Sequence, residues 1–187
     1  YPFFFFFSLN MPIIIVEFKA VCTDTAAKES ILLQYHPRFA GEDHQIDTYF
    51  NVSSGRLKLR EGIIENALIQ YERNNELNSK KSSVLLYKHA PDKSLKEILI
   101  HSLGIKAIVD KKRKIYFIDN VKFHFDTVNE LGSFIEVEAI DEDGTIGEAK
   151  LTEQCNFYKS LFDIQQNDLI AVSYSDLIIE KKYFNLK

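Results

Sequence analysis

Between Val121 and Ala139, carboxylates recur at alternate positions, and that spacing is where chemistry first becomes legible. The stretch reads as two strands joined by a turn over Asn129 to Gly132. In the first arm Val121, Phe123 and Phe125 alternate with Lys122, His124 and Asp126; in the second, Ile135, Val137 and Ala139 alternate with Phe134, Glu136 and Glu138. Strand side chains point to opposite faces with period two, so His124 shares a face with Asp126, and Glu136 with Glu138. If these polar faces are one face of one sheet, three carboxylates converge. Like charges about 4 Å apart repel by roughly 4 kcal/mol at an intermediate dielectric. Such a cluster must be solvated, partly protonated or neutralised by a cation. Oxygen donors suit a hard ion such as Mg²⁺ or Mn²⁺. The ordinary alternative is a half-exposed hairpin whose polar side faces water. His124 reads more readily as a hydrogen-bonded wall residue than as a catalytic base.

Other stretches carry the opposite sign. Arg56-Leu57-Lys58-Leu59-Arg60 alternates strictly, with three cations on one face that need water or an anion. Lys111 to Lys114 are four consecutive cations between hydrophobic runs; Lys111 and Arg113 share a face with Ile115 and Phe117. Such a run suggests a phosphate site, with nucleic acid as the competing use. From Met11 to Cys22 one strand face carries Ile13, Ile15, Glu17, Lys19 and Val21, an ion pair in otherwise apolar company. It is either a structural pair at a strand end or part of a site.

The elements that must position these residues are short. Strands are expected over Met11 to Cys22, Gln45 to Phe50, Arg56 to Arg60, Ala67 to Arg73, Ser83 to Tyr87 and Ile105 to Asn120, followed by the hairpin. Helices are expected over Thr23 to Tyr35, over Lys93 to Leu103 with Asp92 as cap and Gly104 as stop, over Ile146 to Phe162, and after Ser173. Pro37 to His44 and Asp141 to Gly144 read as loops, and Asn74 to Lys81 as a polar, mobile segment. A chain of 187 residues with 45% apolar content supports one α+β domain over 11–187, dominated by an antiparallel sheet. Residues 1–10, with five consecutive phenylalanines, have no amphipathic period and read as a cloning remnant or misread leader. The net charge of −4 gives no general case for nucleic acid or membrane partners. Two distant cysteines, Cys22 and Cys155, suggest neither a disulfide framework nor a zinc site, and fit a reducing cytoplasm. No phosphate-binding glycine loop, dinucleotide fingerprint or nucleophile elbow is present.

A closed antiparallel barrel presents one face of every strand to its lumen. Charged faces turned inward would give an acidic wall for a divalent ion and a basic wall for a polyanion, with helices over the apolar exterior. A metal-chelated triphosphate satisfies both walls.

The segments Val16-Glu17-Phe18-Lys19, Gln45 to Phe50, Gly55 to Arg60, Leu68 to Arg73, Lys111 to Tyr116, Val121 to Glu138 and Ser173 to Leu177, in that order, resemble the CYTH proteins, or triphosphate tunnel metalloenzymes, and within them the class IV adenylate cyclase-like group. The resemblance implies an eight-stranded antiparallel tunnel barrel with flanking helices. It implies Mg²⁺ or Mn²⁺ as cofactor and ATP or another triphosphate as substrate. By the same resemblance Glu17, Asp126, Glu136 and Glu138 fall on metal-side positions. Lys19, Arg56, Lys58, Arg60, Arg73, Lys111 and Arg113 fall on phosphate-side positions. The expected activity is cyclisation of ATP to cyclic AMP and pyrophosphate. An inorganic or thiamine triphosphatase, or a non-catalytic nucleotide- or polyphosphate-binding module, are the alternatives. The family signature on the first strand is Glu-x-Glu-x-Lys, and this chain has Ile15 at the first Glu. An apolar barrel exterior would permit a homodimer.

Overall fold

The structure is a computed structural model that describes residues 12–73 and 80–184, excepting the side chains of Arg73 and Lys80. The aromatic run within 1–10 and the polar segment 74–79 lie outside the described residues.

Eight strands close on themselves: β1 (Ile13–Val21), β2 (Arg38–Phe50), β3 (Arg56–Glu61), β4 (Ala67–Arg73), β5 (Lys80–Lys88), β6 (Ile105–Ile118), β7 (Val121–Val128) and β8 (Gly132–Asp141). Around the barrel the order is β1-β5-β4-β3-β2-β6-β7-β8, with β8 pairing back onto β1. Every pairing is antiparallel. This is the eight-stranded antiparallel barrel that the resemblance implies.

The strand alternation sorts residues onto two faces. Outward, Val16, Phe18 and Ala20 of β1, Phe123 and Phe125 of β7, and Ile135, Val137 and Ala139 of β8 form a buried cluster. Helix α3 (Glu148–Leu161) covers it through Leu151, Cys155 and Tyr158. Each fully buried side chain of this kind contributes about 1.5–3 kcal/mol. Helix α1 (Thr25–Leu33) adds Leu32; its first turn is capped by Asp24, which accepts from the Ala27 N–H at 3.0 Å. Helix α2 (Lys93–Leu103) starts at Asp92 and stops at Gly104, whose φ of 68° favours glycine. Helix α4 (Tyr174–Phe184) begins with a reciprocal cap: the Ser173 N–H donates to Asp176 Oδ2 at 3.0 Å, and the Asp176 N–H to Ser173 Oγ at 3.3 Å.

Four expectations are corrected. Pro37 to His44 is not a loop: β2 begins at Arg38 and pairs with β6, with a register shift between Phe39 and Gly41. Its polar residues conceal a strand because partner hydrogen bonds outweigh weak local propensity. Lys80 and Lys81 belong to β5, not to the polar segment before it. Asp141 ends β8 and is buried, accepting N–H bonds from Gly144, Ile146 and Gly147 instead of sitting in a solvated loop. The helices do not cover the whole exterior, since Leu85 and Tyr87 on the outer face of β5 are exposed.

Candidate functional site

The inner face is built by register. Across β1 and β8, Glu17 stands opposite Glu138, and Lys19 opposite Glu136. Across β7 and β8, Lys122 stands opposite Glu138 and His124 opposite Glu136, so the two polar faces of the hairpin are one face. Arg113 of β6 faces Asp126, and Asp47 of β2 faces Arg60. Glu17, Lys19, Arg60, Lys111, Arg113, Asp126 and Glu136 are all buried. Lys58 and Glu138 keep side-chain exposures of 14% and 17%, so the interior still meets solvent.

The two signs are not on separate walls, as the sequence suggested; they interleave as ion pairs. On one side Asp47 is a hub. It accepts from Arg60 Nε at 2.8 Å and Nη2 at 2.9 Å, from Lys111 Nζ at 2.7 Å and from Lys58 Nζ at 3.1 Å. Glu65, on the β3–β4 loop, accepts from Arg60 Nη1 at 2.9 Å, from Gln45 Nε2 at 3.0 Å and from Lys122 Nζ. Four cations therefore share two carboxylates. Burial alone would raise the Asp47 carboxyl, but Arg60, Lys111 and Lys58 outweigh it and hold it well below the usual range. Burial, reinforced by Arg60, Arg113 and Lys58, pushes Lys111 well below the usual lysine range. This side has positive charge to spare.

The other side has negative charge to spare. Arg113 donates to Asp126 at 2.6 Å through both Nε and Nη2, and to Glu136 Oε2 at 2.6 Å. Lys19 Nζ lies 3.1 Å from Glu136 Oε1. Asp126 also accepts from the Tyr174 hydroxyl at 2.8 Å. Among these groups Asp126, Glu136 and Glu138 share two cations, Arg113 and Lys19. Burial, with Glu136 and Glu17 nearby, raises the Glu138 carboxyl to about 7. His124 is fully buried and lies 3.5 Å from Glu136 Oε2 and 3.8 Å from Glu138 Oε1 through Nδ1. Both distances exceed a hydrogen bond, and neither ring nitrogen has a hydrogen-bond partner among the described residues, contrary to the reading of a hydrogen-bonded wall residue. Burial, then Arg113 and Lys122, pushes its pKa down to about 3, so the ring is neutral.

One donor atom from each of His124, Glu136 and Glu138 lie within 4.8 Å of one another. Two buried carboxylates beside an imidazole, one of them with its carboxyl raised by burial and by the other's charge, fit a divalent cation. Of the other two metal-side candidates, Asp126 is turned to Arg113 and Tyr174, and Glu17 stands one strand away, opposite Glu138. Among the phosphate-side candidates, Lys58, Arg60 and Lys111 converge. Lys19 and Arg113 sit with the carboxylates. Arg56 reaches Asp176 at 3.1 Å, and the Arg73 side chain lies outside the described residues.

The lumen is also partly apolar: Ile13 and Ile15 pack against a buried cluster that includes Ile69, Tyr71, Val84, Phe134 and Tyr174. Sequence reasoning passed over Asp47, Glu65, Lys122 and Tyr174. Asp47 had a signal, its alternation with Gln45 and Tyr49; Tyr174, on a helix after the last strand, had only its place in the Ser173 to Leu177 segment that carries the resemblance.

The CYTH domain model matches residues 14–174. The chain belongs to the CYTH domain family. This family comprises metal-dependent tunnel barrels that act on triphosphate compounds. No curated protein matches the chain. Among solved structures, the CYTH barrel is similar to a conserved hypothetical protein from Pyrococcus furiosus, with TM-score 0.75 and 21% identity over 87% of this chain and 99% of that one. A protein from Vibrio parahaemolyticus, provisionally named an adenylate cyclase, gives TM-score 0.72 and 18% identity over 88% and 97%. One from Hippeastrum, provisionally named an adenylyl cyclase and described as having a dominant triphosphatase activity, gives 0.57 and 11% over 91% and 95%. At these identities the likeness is one of fold. No helix among the described residues is long and apolar enough to cross a membrane.

Proposed function

We propose that this CYTH protein is a metal-dependent enzyme acting on a triphosphate inside its barrel, converting ATP to cyclic AMP and pyrophosphate. The observation that carries this reading is the surplus of cations around the buried Asp47, where Lys58, Arg60 and Lys111 meet one carboxylate. A polyphosphate satisfies them with charge-assisted hydrogen bonds, and arginine does so bidentately. A divalent ion would be held by Glu138 and Glu136, with Glu17 alongside, and would supply positive charge to phosphate oxygens. The residues of the chain position the α-phosphorus for attack by the ribose 3′-oxygen and bear the charge of the departing pyrophosphate. The apolar inner patch of Ile13, Ile15, Ile69 and Tyr71 suits the organic part of such a substrate.

The second reading is a triphosphatase that directs water at the terminal phosphorus. The activity stated for the Hippeastrum protein favours it. Incubation with ATP and Mg²⁺ or Mn²⁺, followed by chromatography, separates the two. Cyclic AMP with pyrophosphate supports the first and orthophosphate the second. Tight binding of ATP with no product would leave a non-catalytic module and overturn both.

A further inference from the structure

A buried imidazole with no hydrogen bond is costly, and His124 is the case in this interior. It is fully buried on β7, both ring nitrogens lack a hydrogen-bond partner among the described residues, and its Nδ1 points into the gap between Glu136 and Glu138. Two donors bound to one ion at about 2.1 Å stand roughly 3.0–3.4 Å apart for octahedral to tetrahedral angles. The Nδ1 distances of 3.5 and 3.8 Å lie just outside that span, so a contraction of a few tenths of an ångström brings the nitrogen to ligand spacing from each carboxylate, and the three donors already lie within 4.8 Å of one another. Glu136 Oε2 already accepts from Arg113, whereas Glu138 has no cation within ion-pair distance among the described residues. The nitrogen and the Glu138 carboxylate are therefore the two donors with least to give up.

We infer that His124 is a metal ligand, making the ion site of mixed nitrogen and oxygen character and selecting a first-row transition ion over Mg²⁺. Imidazole suits later and softer divalent ions, whereas carboxylate and water sites suit Mg²⁺. This rests on the proposal that the acidic side of the barrel holds a divalent ion, and it goes further by naming a ligand and a preference.

The test is pulsed electron paramagnetic resonance on the full chain with Mn²⁺ as the probe, with and without tripolyphosphate. Bound Mn²⁺ should show modulation from a directly coordinated ¹⁴N, replaced by the ¹⁵N pattern when the histidines are isotopically labelled. His124→Gln should abolish that modulation and weaken Mn²⁺ at least about tenfold, as losing a ligand costs no less than losing the groups that orient one. Mg²⁺ should lose less. Glu138→Gln, should His124→Gln fail to fold, must abolish the same nitrogen signal. Bound Mn²⁺ without nitrogen coupling overturns the inference while leaving an all-oxygen site and the proposed function intact. Absence of bound Mn²⁺ under both conditions overturns the inference and the metal part of the proposed function together. Tripolyphosphate binding, followed separately by thermal shift without metal, reports on the cation side alone.

Discussion

Asp47 holds three cations at once, so removing its charge exposes what the cation side of the interior is for. Asp47→Asn leaves Lys58, Arg60 and Lys111 without their shared anion in a buried setting. Loss of one partner from a buried ion pair costs about 3–5 kcal/mol, and a urea midpoint should fall accordingly. Tripolyphosphate should then stabilise the variant more than the wild-type protein, because it supplies the missing charge. Equal stability in plain buffer would mean the cations are not held by Asp47. The carboxylates opposite divide in the same way. Glu136→Gln removes charge from under both Lys19 and Arg113 and should destabilise the fold, so lost activity in it would be ambiguous. Glu138→Gln disturbs no cation pair among the described residues and should change stability by less than about 1 kcal/mol while ending stabilisation by divalent ions. Strand alternation made the inward positions of Glu17, Lys19, Lys58, Arg60 and Glu136 legible in the sequence. The partners were not legible. Lys111 and Asp47 are 64 residues apart, and only the closed register brings them together.

The β3–β4 loop and the start of α4 show how elements hold this arrangement. Asp43 accepts the backbone N–H groups of Ile63, Ile64 and Glu65 at 2.6, 2.9 and 3.0 Å, fixing the loop that delivers Glu65. Gly62 packs directly on that carboxylate; a Cβ there would lie 2.7 Å from Asp43 Oδ2 and 2.8 Å from the Glu65 carbonyl. Gly62→Ala should therefore cost about 1–3 kcal/mol, and a thermal melt as high as wild type would show that the loop is not so constrained. At α4, Asp176 accepts from the Ser173 N–H and hydroxyl and from Arg56. Burial would raise its carboxyl, but the Ser173 hydrogen bonds and Arg56 outweigh it and lower the pKa. A depressed carboxyl stabilises the fold above its unfolded pKa, near 4, and that contribution is lost as pH falls through the folded value. Asp176→Asn should thus trail wild type by about 1 kcal/mol at neutral pH, with the gap closing below about pH 4. A gap that stays the same at low pH would rule out the ionised cap. Elements with local punctuation were legible in the same way. Asp92 and Gly104 bracket α2 where the sequence places it. The first half of β2 carries no such marks, and its pairing with β6 is what makes it a strand.

At the scale of the whole molecule, closure turns a pattern of alternating charges into an enclosed interior, and Ile15 is where this chain departs from the family signature. Ile15 stands between Ser82 of β5 and Ile140 of β8, two residues before Glu17, and packs with the apolar part of the lumen. The chain thus carries hydrocarbon where the resemblance implies a carboxylate, beside the site proposed to hold the ion. Restoring the charge tests both halves of that statement. Ile15→Glu gives up apolar burial and adds a like charge near Glu17 and Glu138, so the metal-free protein should lose about 2–4 kcal/mol. A divalent ion should return much of it, with a thermal shift on adding Mn²⁺ larger than that of the wild-type barrel. If the metal-free variant were as stable as wild type, position 15 would not face an enclosed interior. If Mn²⁺ stabilised it no more than wild type, the acidic side would not be an ion site, and the cation side would be left to bind polyphosphate alone.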